Sequence, residues 1–469
     1  MDAQEVTAGE SGDWSGARVC VAGLGVSGRA AARVLAERGA HVTIVDARDD
    51  EARRADAAGL AAHGVAVRLG DGDTLPDGTG LVVTSPGWRP DAPLFAAARA
   101  AGVPVYGEVE LAWRLRGPDA APWLALTGTN GKTTAVRMLA AILTAAGHDA
   151  VAVGNVGTPI VEAVLEKHDV LAVELSSYQL HWSSTVAPLA AAVLNVAPDH
   201  LDWHGSLAEY AAAKAKIFAP GTVAVVNADD PGSAALGGPD ARAFTLGVPA
   251  PGQLGVVEDL LVDRAFVADP VAAAEELAEL GDVRPFAPHN IANALAAAAL
   301  ARAFGVPADA VRHGLRAFVP DPHRIAHVAT LDGVVYVDDS KATNPHAAAS
   351  SLAACDSAVW IAGGLLKGAD VDELVAAAAG RLRAAVLLGA ERDRIAAALA
   401  RHAPDVPVVE VPDTDTGAMD RVVIAAAELA RPGDTVLLAP AGASFDMFPN
   451  YGARGDAFAA AVRRLAGSR

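Results

Sequence analysis

The chain is poor in cysteine: Cys20 and Cys355 are the only two among 469 residues, and neither has metal-ligating neighbours in sequence. Two are too few for a disulfide framework or a zinc module and read as unreactive buried thiols in a reducing compartment. Basic residues are also scarce, 37 against 56 acidic and nowhere concentrated, so a net charge of −19 opposes nucleic-acid binding. No uninterrupted apolar run approaches the ~18 residues of a membrane helix. The opening Met1-Asp-Ala-Gln-Glu is acidic and lacks a following apolar stretch, so it does not read as a secretory leader. These absences predict a soluble, cytoplasmic protein with neither membrane nor nucleic-acid partners. What is abundant is apolar residue, 52% against 20% charged, enough to bury more than one core. At about 150 residues per domain the length predicts three domains.

Short β-branched runs recur, each closing on Gly, Ser, Asp or Asn and followed by an Ala/Leu-rich segment of helical spacing. Val19-Cys-Val-Ala, Val42-Thr-Ile-Val, Leu81-Val-Val-Thr, Leu124-Ala-Leu-Thr, Val170-Leu-Ala-Val, Val223-Ala-Val-Val, Val334-Val-Tyr-Val, Val359-Trp-Ile-Ala and Val436-Leu-Leu-Ala are examples. This is the pattern of parallel βα units. Pro-containing joints at Arg116-Gly-Pro-Asp-Ala-Ala-Pro122 and Phe318-Val-Pro-Asp-Pro322 divide the series into α/β domains over 1–118, 119–319 and 320–469. In open parallel sheets ligands bind beyond the strand carboxyl ends, so the residues following each strand are where chemistry is expected.

Leu124-Ala-Leu-Thr127-Gly128-Thr129-Asn130-Gly131-Lys132-Thr133-Thr134 reads as a strand, a Gly-rich turn and a helix running to about Ala146, where Gly147 stops it. Such a turn lets backbone N–H groups face a phosphate, while Lys132 reaches its terminal oxygens and Thr133 can ligate Mg²⁺. The spacing departs from G-x-x-x-x-G-K-[ST], because Leu126 stands five before Gly131 and the first glycine is Gly128. An ordinary GTPase or kinase loop is therefore excluded. The N-terminal Gly23-Leu-Gly25-Val-Ser-Gly28 fits G-x-G-x-x-G, with Asp46 at the end of the next strand. Alone it would suggest NAD, but the same geometry holds any diphosphate on a helix N-terminus.

Glu174 closes the strand Val170-Leu-Ala-Val, and Asp199-His200-Leu-Asp202 follows the next. Glu174 and His200 are candidate Mg²⁺ ligands, although magnesium prefers oxygen and either residue could equally be a satisfied strand-end polar group. Ser206-Leu-Ala-Glu209 is a capping-box pattern, and Leu207, Tyr210, Lys214 and Ile217 share one face of the helix it opens. Lys214 is thus expected on an inward face. It either snorkels to solvent or, beside Mg²⁺, carries a modification that reverses its charge.

Taken together the segments resemble the ATP-dependent Mur ligases across all three domains. The resemblance rests on Thr127-Gly-Thr-Asn-Gly-Lys-Thr-Thr134, Glu174-Leu-Ser-Ser-Tyr-Gln179, Asp199-His-Leu-Asp202 with Tyr210-Ala-Ala-Ala-Lys214, and His289-Asn-Ile-Ala-Asn293. It continues through Pro322-His-Arg324, Asp338-Asp-Ser-Lys-Ala-Thr-Asn-Pro345, Gly363-Gly-Leu-Leu-Lys-Gly368 and Ser444-Phe-Asp-Met-Phe-Pro-Asn450. The Glu-Leu-Ser-Ser and Asp-Ser-Lys-Ala-Thr-Asn segments are similar to those of the member that adds D-glutamate. The resemblance implies a Rossmann-like N-terminal domain, a central P-loop ATPase-like parallel sheet and a Rossmann-like C-terminal domain. It also implies a monomer that adds D-glutamate to UDP-N-acetylmuramoyl-L-alanine in peptidoglycan precursor synthesis.

By that resemblance Gly128, Thr129, Asn130, Gly131, Lys132, Thr133 and Thr134 would hold ATP, joined by Asn293, Arg324 and Asp339. Two Mg²⁺ ions would use Thr133, Glu174, His200 and a carbamylated Lys214, the last an ammonium turned into an anionic oxygen ligand. Val26, Ser27, Asp46, Arg48, Ser85, Asn155, Ser176 and Gln179 would hold the UDP-sugar, which reassigns the glycine fingerprint from NAD to a UDP diphosphate. Lys341, Thr343, Lys367, Ser444 and Tyr451 would receive D-glutamate; Tyr451 stands where family members often have Phe, and Ala47 where a hydroxyl residue is common. Catalysis would rest on Lys132, Glu174, His200 and Lys214, with domain closure upon ATP binding. Competing readings are a sister Mur ligase adding another amino acid, a folylpolyglutamate synthase, a nucleotide-gated binding module, and an NAD oxidoreductase.

Overall fold

Runs of valine, leucine and alanine become interior strands when helices cover both faces of a sheet, because no alternate position then needs to be polar. A computed structural model, describing residues 14–413 and 417–467, shows this for all nine runs named above. The first sheet contains β1 (Arg18–Ala22), β2 (His41–Asp46), β3 (Ala66–Leu69), β4 (Leu81–Thr84) and β5 (Val105–Gly107). They are all parallel, in the order β3-β2-β1-β4-β5.

The second sheet contains β6 (Trp123–Thr127), β7 (Ala150–Gly154), β8 (Val170–Glu174), β9 (Ala190–Val193), β10 (Val223–Asn227) and β11 (Arg242–Phe244). It continues through β12 (Gln253–Val257), β13 (Leu260–Asp263) and β14 (Glu275–Glu279), and its order is β14-β13-β12-β11-β10-β9-β6-β8-β7. The third holds β15 (Ala326–Leu331), β16 (Val334–Asp338), β17 (Ala358–Gly363), β18 (Leu382–Leu388), β19 (Val408–Glu410) and β20 (Thr435–Ala441), in the order β15-β16-β20-β17-β18-β19.

Beyond the first sheet, the expected parallel sheets also carry antiparallel strands at their edges. β12 pairs parallel with β11, β13 and β14 then extend the central sheet antiparallel, and β15 pairs antiparallel with β16. Glu275-Glu-Leu-Ala-Glu279 is rich in helix formers, and only its pairing with β13 makes it a strand.

Two compact units result. One comprises Met1–Val196, His200–Asp282 and Ala292–Ala317 and holds the first two sheets; the other comprises Ala197–Asp199, Val283–Ile291 and Phe318–Arg469 and holds the third. In the first unit a continuous core runs from Val19, Val21 and Leu35 through Leu111 to Trp123, Leu171 and Val193. Helix Ala308–Ala317 lies close against helix Lys132–Ala145, since a Cβ at Gly314 would come within 2.3 Å of the Ile142 Cα. Cys20 is buried and Cys355 only half-buried, so the expectation of two buried thiols holds fully for the first alone.

Candidate active site

Sheet order decides which strand ends meet. In the central sheet β6 has β9 on one side and β8 on the other, which makes its carboxyl end a topological switch point. The loop after β6 turns through Gly131 at φ +84° into helix Lys132–Ala145, whose N-terminus has no side-chain cap. Only glycine fits there, because a Cβ would lie 2.3 Å from Asn293 Oδ1. An uncapped helix start after such a turn suits a phosphate.

The loop is braced by Asn195, which motif reading did not select, and by Tyr210. Asn130 N–H donates to Asn195 Oδ1 (2.8 Å), Asn195 Nδ2 donates to the Asn130 carbonyl (3.1 Å), and Thr129 N–H donates to the Asn195 carbonyl (3.1 Å). The hydroxyls of Thr129 and Tyr210 are 3.1 Å apart. Lys132 Nζ donates to the carbonyls of Gly128 and Thr129, both at 2.9 Å. Thr133 is half-buried and Thr134 buried at the helix start.

Lys214 is 1% exposed, which rules out snorkelling, and its Nζ donates to the Gly128 carbonyl at 2.8 Å. It also lies 4.4 Å from the Tyr210 ring centroid. Ser206 Oγ caps its helix by accepting from Glu209 N–H. The expected buried face is correct for Tyr210, Lys214 and Ile217 and wrong for Leu207, which is exposed in the first turn.

Glu174 at the end of β8 is 1% exposed. Its Oε1 accepts from Asn155 Nδ2 (2.8 Å), and Asn155 N–H donates to the Glu174 carbonyl (2.9 Å), while Oε2 has no hydrogen-bond partner among the described residues. A buried carboxylate oxygen without a donor suits a cation. His200 stands in the left-handed region (φ +54°) at the start of helix Leu201–His204, its ring 4.9 Å from that of Tyr178. Among the described residues no three His, Cys, Asp or Glu side chains form a metal cluster. Of those types the expected ligands include only Glu174 and His200.

In the first sheet β1 lies between β2 and β4. Gly23 takes φ +97°, and a Cβ at Gly28 would come within 1.9 Å of the Gly23 carbonyl oxygen, so the turn and helix Val26–Glu37 pack directly. Gly25 caps that helix without a side chain, leaving Val26 exposed and Ser27 half-buried at its start. Asp46 accepts the N–H groups of Leu24 (2.8 Å) and Arg48 (2.9 Å), and so shapes the glycine turn with its own oxygens. Ser85 Oγ donates to the Gly23 carbonyl (3.3 Å). Ser176 and Gln179 form a full capping box on helix Ser177–His181, with Gln179 N–H donating to Ser176 Oγ (3.2 Å) and Ser176 N–H to Gln179 Oε1 (2.9 Å).

In the C-terminal unit, β16, β20 and β17 are adjacent. Their carboxyl ends therefore bring together the segments bearing Lys341 and Thr343, Ser444, and Lys367. Lys341 Nζ lies 4.1 Å over the Tyr451 ring, Ser444 is buried, and Lys367 is exposed with φ +53°. Asp339 accepts from Ile325 N–H (3.2 Å) and Ser351 Oγ–H; burial pushes its carboxyl up to about 6 against those bonds and the nearby Arg324. Sequence reasoning missed Arg454, 2% exposed, which donates to Ser340 Oγ (3.0 Å) and to the carbonyls of Ser340 (2.9 Å) and Gly442 (3.0 Å). Burial pushes its guanidinium down to about 10. No local pattern marks it, because the groups it ties together are distant in sequence.

Fold and loop define an α/β protein built around a phosphate-binding switch point. Three family models match in chain order: Mur ligase MurD-like N-terminal domain over 17–107, Mur ligase middle domain over 126–301, and the Mur ligase glutamate ligase domain over 323–442. The chain belongs to the Mur ligase family. It is 65% identical over 463 residues to the UDP-N-acetylmuramoylalanine–D-glutamate ligase of Streptomyces avermitilis, covering 97% of this chain and 99% of that one. Against the enzyme of the same name from Thermobifida fusca it is 64% identical over 462 residues, covering 96% and 99%. The crystal structure of UDP-N-acetylmuramate-alanine ligase from Thermotoga maritima shares its fold, with a TM-score of 0.57 at 19% identity over 97% of this chain and 100% of that one.

Proposed function

We infer that this protein is an ATP-dependent ligase that joins D-glutamate to UDP-N-acetylmuramoyl-L-alanine in peptidoglycan precursor synthesis. The carrying observation is the phosphate loop with Lys132 folded onto it, in a chain about two-thirds identical, nearly end to end, to D-glutamate ligases. That level of identity to D-glutamate-adding enzymes favours this reading over a sister ligase, a folylpolyglutamate synthase or an NAD oxidoreductase.

Residues 1–118 are assigned to the UDP-sugar, 119–319 to ATP and 320–469 to the amino acid, in line with the three matched segments. Val26, Ser27, Asp46, Arg48 and Ser85, with Asn155, Ser176 and Gln179, bind the UDP-substrate; the uncapped start of helix Val26–Glu37 suits its diphosphate. Lys341, Thr343, Lys367, Ser444 and Tyr451 bind D-glutamate, the two cations matching its two carboxylates. Asn293, Arg324 and Asp339 are further candidates for binding nucleotide. We read the protein as a cytoplasmic monomer that acts on small molecules; its acidic charge opposes a nucleic-acid partner.

A carboxylate is a poor electrophile, and amide formation needs a better leaving group. The L-alanyl carboxylate oxygen attacks the γ-phosphorus of ATP and ADP leaves; the amine of D-glutamate then adds to the acyl carbon, loses a proton, and phosphate departs with the oxygen that attacked. Lys132 holds the γ-phosphoryl oxygens and offsets their growing negative charge. Thr133, Glu174, His200 and a carbamylated Lys214 would hold Mg²⁺, which supplies charge neutralisation at the transferring phosphoryl group. No protein nucleophile takes part, so the chain's work is positioning and charge.

Phosphate release measured with each amino acid in turn tests the assignment. Turnover with D-glutamate alone is expected; turnover with L-lysine, diaminopimelate or L-alanine but not D-glutamate would overturn it.

A further inference from the structure

His204 has no part in the chemistry above, yet it lies where three segments of the candidate metal site meet. It is 8% exposed. Its Nε2 is 3.0 Å from Ser177 Oγ, three residues beyond Glu174. Its ring is parallel to that of Tyr178 (3° between planes, centroids 5.6 Å apart) and meets Tyr210 edge-on at 5.2 Å. Tyr210 belongs to the helix of Lys214, one turn before it. His204 N–H donates to the His200 carbonyl at 3.0 Å, closing the single helical turn that follows the left-handed His200. One residue therefore contacts three segments: its ring meets the segment after Glu174 and the helix of Lys214, and its main chain closes the turn of His200.

We propose that His204 is a positioning residue that fixes the spacing of Glu174, His200 and Lys214 for the divalent cation. The proposal rests on the metal reading given above. Helix Leu201–His204 spans only four residues and ends at Gly205 with φ +85°. So short a turn has little stability of its own, and its orientation depends on what its last side chain grips. The Ser177 contact supplies direction and the Tyr178 and Tyr210 rings supply the packing. The ring serves as a hydrogen-bonding wedge between these elements.

The test is equilibrium Mn²⁺ binding in the presence of ADP, followed by electron paramagnetic resonance on the full chain, with thermal melting alongside. His204→Phe keeps a ring and removes the polar contact; His204→Gln keeps a polar tip and removes the ring. Outer partners of metal ligands typically carry a 10–100-fold effect, so both variants are expected to bind Mn²⁺ roughly 10-fold more weakly. KM for D-glutamate should not move. Unchanged Mn²⁺ affinity in a folded variant overturns the positioning role while leaving the metal reading intact. Absence of ADP-dependent Mn²⁺ binding in the wild type instead overturns the metal reading, and this role with it.

Discussion

Lys132 and Lys214, 82 positions apart in sequence, donate their Nζ protons to the same acceptor, the Gly128 carbonyl, at 2.9 and 2.8 Å. Two ammonium groups sharing one oxygen repel each other, and Lys214 is buried where water cannot screen it. Carbamylation would turn that repulsion into attraction. Lys214→Ala is therefore expected to lower ligase activity about a hundredfold, in line with the loss of a metal-site partner. Bicarbonate or a short carboxylate should restore part of it, and ¹³C-bicarbonate should give a carbamate resonance in the wild type that is missing from the variant. Failure of both rescue and resonance would count against the modification.

Lys132→Ala removes the loop's own cation while leaving the buried core untouched. Loss of one preorganised charge at the transferring phosphoryl group costs roughly 10²–10³ in rate. ADP release should fall by that factor, with the melting midpoint within a few degrees of wild type. A variant retaining most of its turnover would remove Lys132 from the chemistry.

Gly131→Ala tests the loop's shape. The new methyl would meet Asn293 Oδ1 at 2.3 Å in a left-handed backbone, whereas Gly221, at φ +86°, has nothing within 4 Å of its would-be Cβ. Backbone strain alone costs on the order of 1–3 kcal/mol and should appear in Gly131→Ala and in a Gly221→Ala control alike. A raised KM for ATP should appear only in Gly131→Ala, by steady-state kinetics.

Glu108 gives a pH dependence of stability. Burial pushes its carboxyl up to about 7, although it accepts the Val161 N–H at 2.7 Å. Below its ordinary value near 4.5 the acid is protonated in both folded and unfolded chains, and its contribution is then fully favourable. As pH rises from there to about 7 the unfolded chain ionises while the folded one resists, so stability falls, by on the order of 3 kcal/mol in all. Glu108→Gln cannot ionise. Its melting midpoint should gain on wild type through pH 5–7 and keep a constant lead above that range; parallel profiles would contradict the assignment.

Much of the fold was legible because parallel strands buried on both faces leave unbroken apolar runs, as in Val170-Leu-Ala-Val. The antiparallel strands were not, since β14 is composed of glutamate, leucine and alanine and owes its form to β13. Candidate residues could be picked out by position: Lys132 in a glycine-rich turn, Glu174 at a strand end and Lys214 on the inward face of a helix. Asn195, His204 and Arg454 could not, because their function lies in contacts spanning 65, 27 and 114 positions. Asp46 and Gln179 show a further limit: the family resemblance gives them to a ligand, while the structure also uses them to shape a turn and cap a helix.

Transient phosphorylation of a carboxylate is the central claim, and oxygen tracing tests it directly. UDP-N-acetylmuramoyl-L-alanine labelled with ¹⁸O in its alanyl carboxylate is incubated with ATP, Mg²⁺ and D-glutamate, and the released phosphate is weighed by mass spectrometry. One ¹⁸O per phosphate is expected. Phosphate free of label, formed along with the amide product, would contradict the account.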